Sequence, residues 1–383
     1  MFAKNCSMHD LHDFLSPVNM HELNEDAGYN DGQLAKYIQR YDQEIPDITH
    51  ADIVLLGLGE YRGNGQFGKG FESVDSIRKQ FYQLHYWHTD VVVADLGNVK
   101  TGASLADSYA ALKTVLAELL RQNKTAVIIG GSHDNTLAQY FAYKEIGKTI
   151  EATCIDATID LRGESALRSE NFLLEMLTSE PNHVRHYNHI GFQSYFVHPR
   201  MIETMDRLRF DCFRVGKARE QMEEMEPVLR NSQLVSLDIN AIKYSDAPSV
   251  RCSPNGFSGE EICMLAQYAG LSSTLSSFGV YGYDVDSDVQ ELTAKQIAQL
   301  LWYFIDGRNR SKREAPLTQR SDFFEFHTAF SEVETLFLQS RKTGRWWMQL
   351  PDERWIACSR EDYLQASRNE IPERWMRALE RSI

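Results

Sequence analysis

Short apolar runs that end in glycine or in a polar residue recur along the middle of the chain. Several of them are continuously hydrophobic, which is typical of strands buried on both faces of a parallel sheet. The predicted strands are "ADIVLLGLGE", "DVVVADLG", "TAVIIGG", "EATCIDATIDLR", "HYNHIGFQSY", "QLVSLDINAI" and "LSSFGVYGYDV".

Segments with apolar residues at helical spacing separate these runs. They are "SLADSYAALKTVLAELLRQN", "TLAQYFAYKEI", "MIETMDRLRF", "GEEICMLAQYAGL" and "TAKQIAQLLWYFIDG". Strands that alternate with helices indicate a mostly parallel sheet with helices on both faces. We therefore predict a three-layer α/β fold in which any ligand binds at the carboxyl ends of the strands.

The ends of the chain differ from this middle part. Residues 1–50 are polar and mixed, and we predict an N-terminal extension of helices and loops packed on the edge of an α/β domain that covers residues 51–307. The basic stretch "RNRSKREAP" ends in proline and predicts a loop or linker. It opens a C-terminal extension, residues 308–383, that is rich in aromatic residues. We interpret the tryptophan pair in "GRWWMQLP" as a packing anchor rather than a ligand cage.

Composition narrows the classes of function. A formal net charge of -14 argues against nucleic acid as the main partner, because phosphate binding favours a basic face. The six cysteines form no CxxC pair, which excludes a zinc ribbon and a dense disulfide scaffold. No apolar signal segment or membrane-length run is present, so we expect a cytoplasmic protein without a membrane partner. The glycine-rich "RGNGQFGKG" lacks the order of a nucleotide-binding loop and predicts an ordinary loop.

Polar residues capable of binding a metal follow three of the predicted strands. They are His133 after the first, Asp156, Thr158 and Asp160 in the second, and Asp238 and Asn240 in the third. Strict strand alternation would place Asp156, Thr158 and Asp160 on one side. Carboxylates in apolar runs are costly unless they are paired or bind a cation such as Mn²⁺. The alternative is that each residue separately caps a helix or satisfies a loop.

These segments, in this order, resemble the ureohydrolase family of arginases, agmatinases and formimidoylglutamases. The family segments Gly-Gly-Asp-His-Ser, Asp-x-His-x-Asp and Ser-x-Asp-x-Asp appear as "GGSHD", "DATID" and "SLDIN". A Glu-x-Asn-Pro segment followed by a Thr-Ala helix appears as "YGYDVDSDVQELTA". The resemblance covers roughly residues 50–305 and is nearest to the formimidoylglutamases. It implies the arginase-like version of the three-layer fold.

In this family two Mn²⁺ ions share bridging carboxylates, and a metal-bound hydroxide attacks an amidine or guanidine carbon. The resemblance implies that every ligand of the first ion is kept, at His133, Asp156, Asp160 and Asp238. The two further ligands of the second ion, a histidine and an aspartate, fall on Thr158 and Asn240. The family glutamate that grips the amidino group falls on Gly282, with Asp284 or Asp286 as a shorter replacement. No catalytic residue is assigned.

Two states of this site stay open. In one, a single Mn²⁺ or another divalent cation binds; in the other, no metal binds and the acids pair with a cation such as Arg162 or share protons. A two-metal cluster is not expected in either state. Histone-deacetylase-like enzymes resemble this fold but need the histidine of Asp-x-His, and Thr158 excludes that class.

Two functions follow from the resemblance and its departures. The first is a pseudoenzyme on the ureohydrolase fold, which binds a small amidine, an amino-acid-like ligand or a protein partner without hydrolysing it. The second is an active metal-dependent hydrolase of C–N bonds in linear amidines, of the formimidoylglutamase, agmatinase or arginase type. By resemblance we also expect a homo-oligomer.

Overall fold

A computed structural model describes residues 11–23 and 28–381. Within these residues, a ten-stranded main sheet has the order β1-β4-β3-β5-β10-β9-β6-β7-β8, with β2 also paired to β4. Its strands are β1 (Leu15–Ser16), β2 (Gln39–Arg40), β3 (Ile53–Leu58), β4 (Val93–Val99), β5 (Thr125–Ile129), β6 (Ile150–Ile155), β7 (Val184–Phe192), β8 (Asp211–Arg214), β9 (Leu234–Asp238) and β10 (Ser277–Tyr281). Only β1, antiparallel to β4, departs from the parallel direction.

Helices cover both faces of this sheet. The helices of the described residues are α1 (Met20–Leu23), α2 (Glu72–Tyr82), α3 (Leu105–Arg121), α4 (Thr136–Glu145), α5 (Phe172–Thr178), α6 (Pro199–Arg207), α7 (Val215–Glu220), α8 (Met225–Arg230), α9 (Gly259–Leu271), α10 (Leu292–Ser311), α11 (Arg360–Ser367) and α12 (Glu373–Glu380). Helices α2, α9 and α10 contribute to one core and α3, α4 and α5 to the other. The predicted three-layer α/β architecture is therefore confirmed.

The strand residues divide between these two cores by simple alternation. In β3, Ile53 and Leu55 belong to the core shared with α2 and α10, whereas Val54 and Leu56 belong to the core shared with α3 and α4. Successive side chains of a strand point to opposite faces, so a strand buried on both faces must be continuously apolar. The apolar runs of the sequence therefore correspond to the interior strands.

Local sequence sets where the long helices begin. Helix α3 starts after Ser104, whose side chain accepts a hydrogen bond from the Asp107 backbone, and the Asp107 side chain accepts one in return. Helix α9 starts in the same way with Ser258 and Glu261. Such capping boxes satisfy backbone N–H groups that the first helical turn leaves unpaired. Their positions fix the ends of the loops that precede these helices.

The C-terminal segment forms a second sheet, which the sequence did not predict. It is antiparallel, with the order β11 (Phe323–Phe330), β12 (Val333–Ser340), β13 (Trp346–Gln349) and β14 (Trp355–Cys358). Trp346 stacks on Tyr363 of α11, with ring centroids 5.0 Å apart. Trp347 packs under the guanidinium of Arg230 at 4.6 Å. Both tryptophans are buried, so their predicted role as packing anchors is confirmed.

Two details near the ends differ from the prediction. Helix α10 continues to Ser311, so the first residues of the predicted linker form its last turn. The N-terminal segment contributes β1 and β2, which both pair with β4 of the main sheet. The predicted boundaries after residues 50 and 307 stay predictions. No described helix combines the length and the apolar character that a bilayer crossing requires.

One buried ion pair joins α2 to β4. Arg78 is fully buried and donates to both carboxylate oxygens of Asp95, at 2.8 and 2.9 Å. It also donates to the side chain of Asn98 and to the carbonyl of Gly97. Tyr82 donates a further hydrogen bond to Asp95. The network satisfies the charges of both ions, which would otherwise be costly to bury.

We predict that Arg78→Met lowers the free energy of unfolding by roughly 3–5 kcal/mol, because it leaves the Asp95 carboxylate buried without its cation. Urea unfolding followed by tryptophan fluorescence measures the change. The control is Lys113→Met, which removes a surface ion pair to Glu145 and should change stability by less than about 1 kcal/mol. Equal effects of the two variants would contradict the account.

Candidate metal centre

Four neighbouring strands, β5, β10, β9 and β6, bring the predicted site residues to one edge of the main sheet. His133 begins the 3₁₀ turn His133–Asn135 shortly after β5, and Asp238 is the last residue of β9. Asp156 directly follows β6, and Gly282 directly follows β10. Because the carboxyl ends of parallel strands meet at the same edge, the topology itself assembles this site.

The second motif reaches the site differently from the prediction. Strand β6 ends at Ile155, so Asp156, Thr158 and Asp160 lie in a loop and not in a continuing strand. Local hydrogen bonds hold the loop: the Ala157 N–H donates to Asp156 at 2.6 Å, and the Thr158 hydroxyl donates to Asp156 at 2.9 Å and to Asp160 at 3.2 Å. The three side chains therefore converge, but regular strand alternation was the wrong reason.

The imidazole of His133 lies at the centre of the carboxylates. Its Nδ1 atom is 2.9 Å from Asp160 Oδ2, 3.5 Å from Asp156 Oδ2 and 3.9 Å from Asp238 Oδ2. All four residues are buried, with exposed fractions between 2% and 7%. The structure thus brings together the four residues that the sequence analysis grouped as one ligand set.

The charges in this cluster shift one another. Burial alone would lower the pKa of His133, but hydrogen bonds to Asp156 and Asp160 raise that pKa well above its usual value. Burial raises the pKa of Asp160 to about 6, although the hydrogen bond from His133 opposes the shift. Burial and the negative charge of Asp156 raise the pKa of Asp238 to about 7. Protein groups alone therefore leave the negative charge of the cluster under-compensated.

The donor set can hold a divalent cation. Ligand atoms of His133, Asp156 and Asp160 all lie within 4.8 Å of one another, and Asp238 adds a carboxylate beside them. One imidazole nitrogen with carboxylate oxygens suits Mn²⁺ and related borderline cations. The predicted alternative partner, Arg162, does not serve here: its guanidinium is 3.5 Å from Glu170 and is 42% exposed. That interpretation of Arg162 is wrong.

The positions to which the resemblance assigns the second ion's ligands hold a hydroxyl and an amide. Thr158 lies between Asp156 and Asp160, and its single hydroxyl proton is shared between a carboxylate oxygen of each, at 2.9 and 3.2 Å. Asn240 lies in the 3₁₀ turn Ile239–Ala241, and its backbone N–H donates to Asp238 Oδ1 at 2.8 Å. A neutral amide is a poorer ligand for a hard cation than a carboxylate.

Gly282 lies directly against the cluster. Its φ of 86° is in the left-handed region, and a Cβ placed on it would lie 2.8 Å from Asp238 Oδ1. A glutamate therefore does not fit here with this backbone. Asp284 does not replace it, because Lys69 and Arg251 bind its carboxylate at 2.9 and 2.7 Å. Asp286 is paired to Lys69.

Several supporting residues were not singled out from the sequence. His133 Nε2 lies 2.8 Å from the Ser236 hydroxyl, which in turn contacts Thr136 at 2.5 Å. This contact directs Nδ1 toward the carboxylates. His189 of β7 lies 3.1 Å from the Asp156 carbonyl, and burial lowers its pKa to about 4, which keeps it neutral. Alternation along β9 places Ser236 on the same face as Asp238, and this signal could have identified it.

A three-layer α/β fold that gathers a histidine and three carboxylates at the carboxyl ends of adjacent parallel strands defines the ureohydrolase class of architecture. A sequence profile described as the arginase family matches residues 51–306, well over half of the chain. The chain belongs to the arginase family.

Individual relatives agree with the predicted nearness to formimidoylglutamases. The formimidoylglutamase of Staphylococcus haemolyticus is 24% identical over 287 residues, which cover 69% of this chain and 88% of the relative. The formimidoylglutamase structure from Bacillus subtilis has a TM-score of 0.64 at 15% identity, covering 76% of this chain and 97% of the other. The Trypanosoma cruzi formiminoglutamase structure with Mn²⁺ also has a TM-score of 0.64 at 15% identity, covering 73% of this chain and 99% of the other. At these identities the structural likeness shows the fold.

We predict that Gly282→Ala lowers the free energy of unfolding by roughly 2–4 kcal/mol, since the methyl group adds overpacking against Asp238 to the strain of a left-handed backbone. Urea unfolding measures the change. Gly68 is the matched control, because its φ is 73° and nothing lies within 4 Å of a Cβ placed there. Gly68→Ala should therefore show only the backbone effect, about 1 kcal/mol. A Gly282→Ala effect no larger than that of Gly68→Ala would refute the close approach.

Proposed function

We propose that this chain is an arginase-family pseudoenzyme that holds one divalent cation and has lost most or all of the family's hydrolytic activity. The observation that carries the proposal is the hydrogen bonding of Thr158, whose hydroxyl donates to Asp156 and Asp160 where a second ion would need a histidine nitrogen. A two-metal site stabilises both the attacking and the leaving atoms of a displacement. One ion cannot stabilise both in the same way.

The charge of the remaining ligand set supports the same proposal. Three carboxylates would donate to a single ion, so that ion would be a weaker Lewis acid than one that shares its carboxylates with a neighbour. When bound, it would supply an acidified water. His133, Asp156, Asp160 and Asp238 would hold it, with Ser236 fixing the orientation of the imidazole. Mn²⁺ is the proposed cation, since carboxylates and an imidazole suit it.

The loss of the substrate-binding carboxylate also favours binding over turnover. Gly282 places no side chain where the family glutamate would bind an amidino group. The Asp284 carboxylate is already paired with the side chains of Lys69 and Arg251. A small amidine or amino-acid-like molecule that entered the site would meet Asp238 but no second acid from β10. Catalysis requires precise orientation of the reacting carbon, and this arrangement provides less of it.

A second candidate is an active hydrolase of linear amidines such as N-formimidoylglutamate, agmatine or arginine. The observation that favours it is the complete first ligand set, whose members lie within 4 Å of His133 Nδ1. The named activity of the curated relatives points to the same chemistry. In this case one ion would provide the nucleophile, and turnover would be slow.

Metal analysis and an activity panel separate the two candidates. We predict about one Mn²⁺ per chain in protein reconstituted with Mn²⁺, as expected for a single donor set, and no release of urea, ammonia or formamide from the amidines named above. Asp238→Ala should lose the ion, whereas the control Glu170→Ala should keep it, because Glu170 is paired to Arg162 outside the cluster. If the parent protein hydrolyses one of these amidines and Asp238→Ala abolishes that turnover, the pseudoenzyme proposal is rejected and the hydrolase is supported.

A gain-of-function variant tests the assignment of the missing ligands. Thr158→His combined with Asn240→Asp should raise the content to about two Mn²⁺ per chain, because it restores a nitrogen and a carboxylate to the second position. Each single variant should bind fewer than the pair. Inductively coupled plasma mass spectrometry after gel filtration measures the ratio. A double variant that still binds one ion in a correctly folded protein would contradict the assignment of Thr158 and Asn240.

A further inference from the structure

Solvent has little contact with the donor residues of the candidate metal centre in this structure. The four donor residues are nearly buried, with exposed fractions of 7% or less. Three pockets in the described residues lie elsewhere: beside Asp211 and Arg377, beside Trp87 and Trp302, and beside Tyr109 and Phe141. None of the four donor residues lines any of these three pockets. The loops that follow the strands at this edge border these donor residues.

Three of those loops are joined at one carboxylate. Asp284, in the loop after β10, binds Lys69 from the loop after β3 at 2.9 Å and Arg251 from the loop after β9 at 2.7 Å. Gln66 adds a longer hydrogen bond at 3.4 Å. We call Lys69, Arg251 and Asp284 the Asp284 ion-pair cluster. This cluster links the loops that follow three different strands.

The Asp284 ion-pair cluster lies close to the metal centre. Gly282, two positions before Asp284, lies against the Asp238 carboxylate. Cys252 follows Arg251 in the chain, and burial together with Asp156 and Asp238 raises the pKa of its thiol to about 12. The loops that carry Lys69 and Arg251 therefore border the same space as the carboxylates.

The cluster combines one buried group with two more accessible ones. The Asp284 side chain is 8% exposed, whereas Lys69 is 25% exposed and Arg251 is 66% exposed. A buried carboxylate gains much of its stabilisation from its cations, so the loops are held mainly by charge. Phe67 at the tip of the first loop is 76% exposed and therefore adds little apolar packing there. Such loops open at low energetic cost once the charge is removed.

We propose that the Asp284 ion-pair cluster is a gate that holds the loops after β3, β9 and β10 closed over the candidate metal centre. Breaking its ion pairs opens the path by which a cation or a small ligand enters. The role of the gate in admitting a cation or ligand rests on the proposed function. The gate itself is a property of the metal-free protein. Its test needs neither metal nor activity.

Hydrogen exchange of metal-free protein tests the gate. Asp284→Asn keeps the size of the side chain but removes its charge, and it should speed amide exchange in residues 61–71 and 251–258 by roughly tenfold while the strands stay protected. The control is Asp286→Asn, because the Asp286 side chain is 72% exposed and pairs only with the Lys69 member of the cluster, while its backbone N–H bond to Asp284 is unchanged by the substitution. It should change exchange less than about twofold.

Alkylation of Cys252 by a neutral maleimide, followed by peptide mass spectrometry, gives a second readout. The alkylation rate should rise in Asp284→Asn together with the rate of amide exchange. A change in thiol ionisation alone would raise the alkylation rate without changing amide exchange, so the two readouts separate loop opening from that cause. Arg251→Gln should produce the same two changes. The Arg251 side chain is largely exposed, so we expect this variant to fold normally. Raising the salt concentration should speed alkylation in the parent protein but not in Asp284→Asn, since salt screens only the intact ion pairs.

The outcomes decide between the gate and a purely structural cluster. Unchanged exchange and alkylation in both Asp284→Asn and Arg251→Gln would overturn the proposal. Equal acceleration in Asp286→Asn would also overturn it, because the effect would then be one of general surface charge. Failure of metal binding leaves these measurements unaffected, so the gate and the proposed function can fail separately.

Discussion

The structure around the site depends on one electrostatic constraint: three aspartates and a histidine are buried together at the edge of a parallel sheet. Like charges at this distance in a buried environment cannot all stay ionised without a compensating cation. The pKa values of Asp160 and Asp238 are both raised. The loop from Asp156 to Asp160, the contact of His133 with Ser236 and the backbone at Gly282 are all arranged around this cluster.

The departures that the resemblance implies lie around the same site. Thr158 lies where the resemblance implies a nitrogen ligand, and its hydroxyl contacts Asp156 and Asp160. Gly282 adopts a backbone conformation that disfavours any side chain, and Asp284 is bound to Lys69 and Arg251. We propose that these changes remove groups needed for two-metal hydrolysis while the first donor set is kept. This selective pattern is the basis for proposing a scaffold with one ion.

Much of the fold could be predicted from sequence because it rests on local periodicity. Continuously apolar strands such as β3 and amphipathic helices such as α3 were identified from their patterns. The convergence of the site residues was predicted from the order of the motifs. The end of β6 at Ile155 was not predicted, because the alternating polar residues that follow it are compatible with either a strand or a loop. The C-terminal sheet and the pairing of Asp284 with Lys69 and Arg251 depend on long-range contacts that no short pattern encodes.

The central claim is that one cation, and not two, binds among His133, Asp156, Asp160 and Asp238. Anomalous diffraction from crystals grown with excess Mn²⁺ tests it most directly. The account predicts a single anomalous peak, coordinated by His133 Nδ1 and by carboxylate oxygens of the three aspartates. Two peaks separated by about 3.5–4 Å, the spacing of two-metal hydrolytic sites, would contradict it.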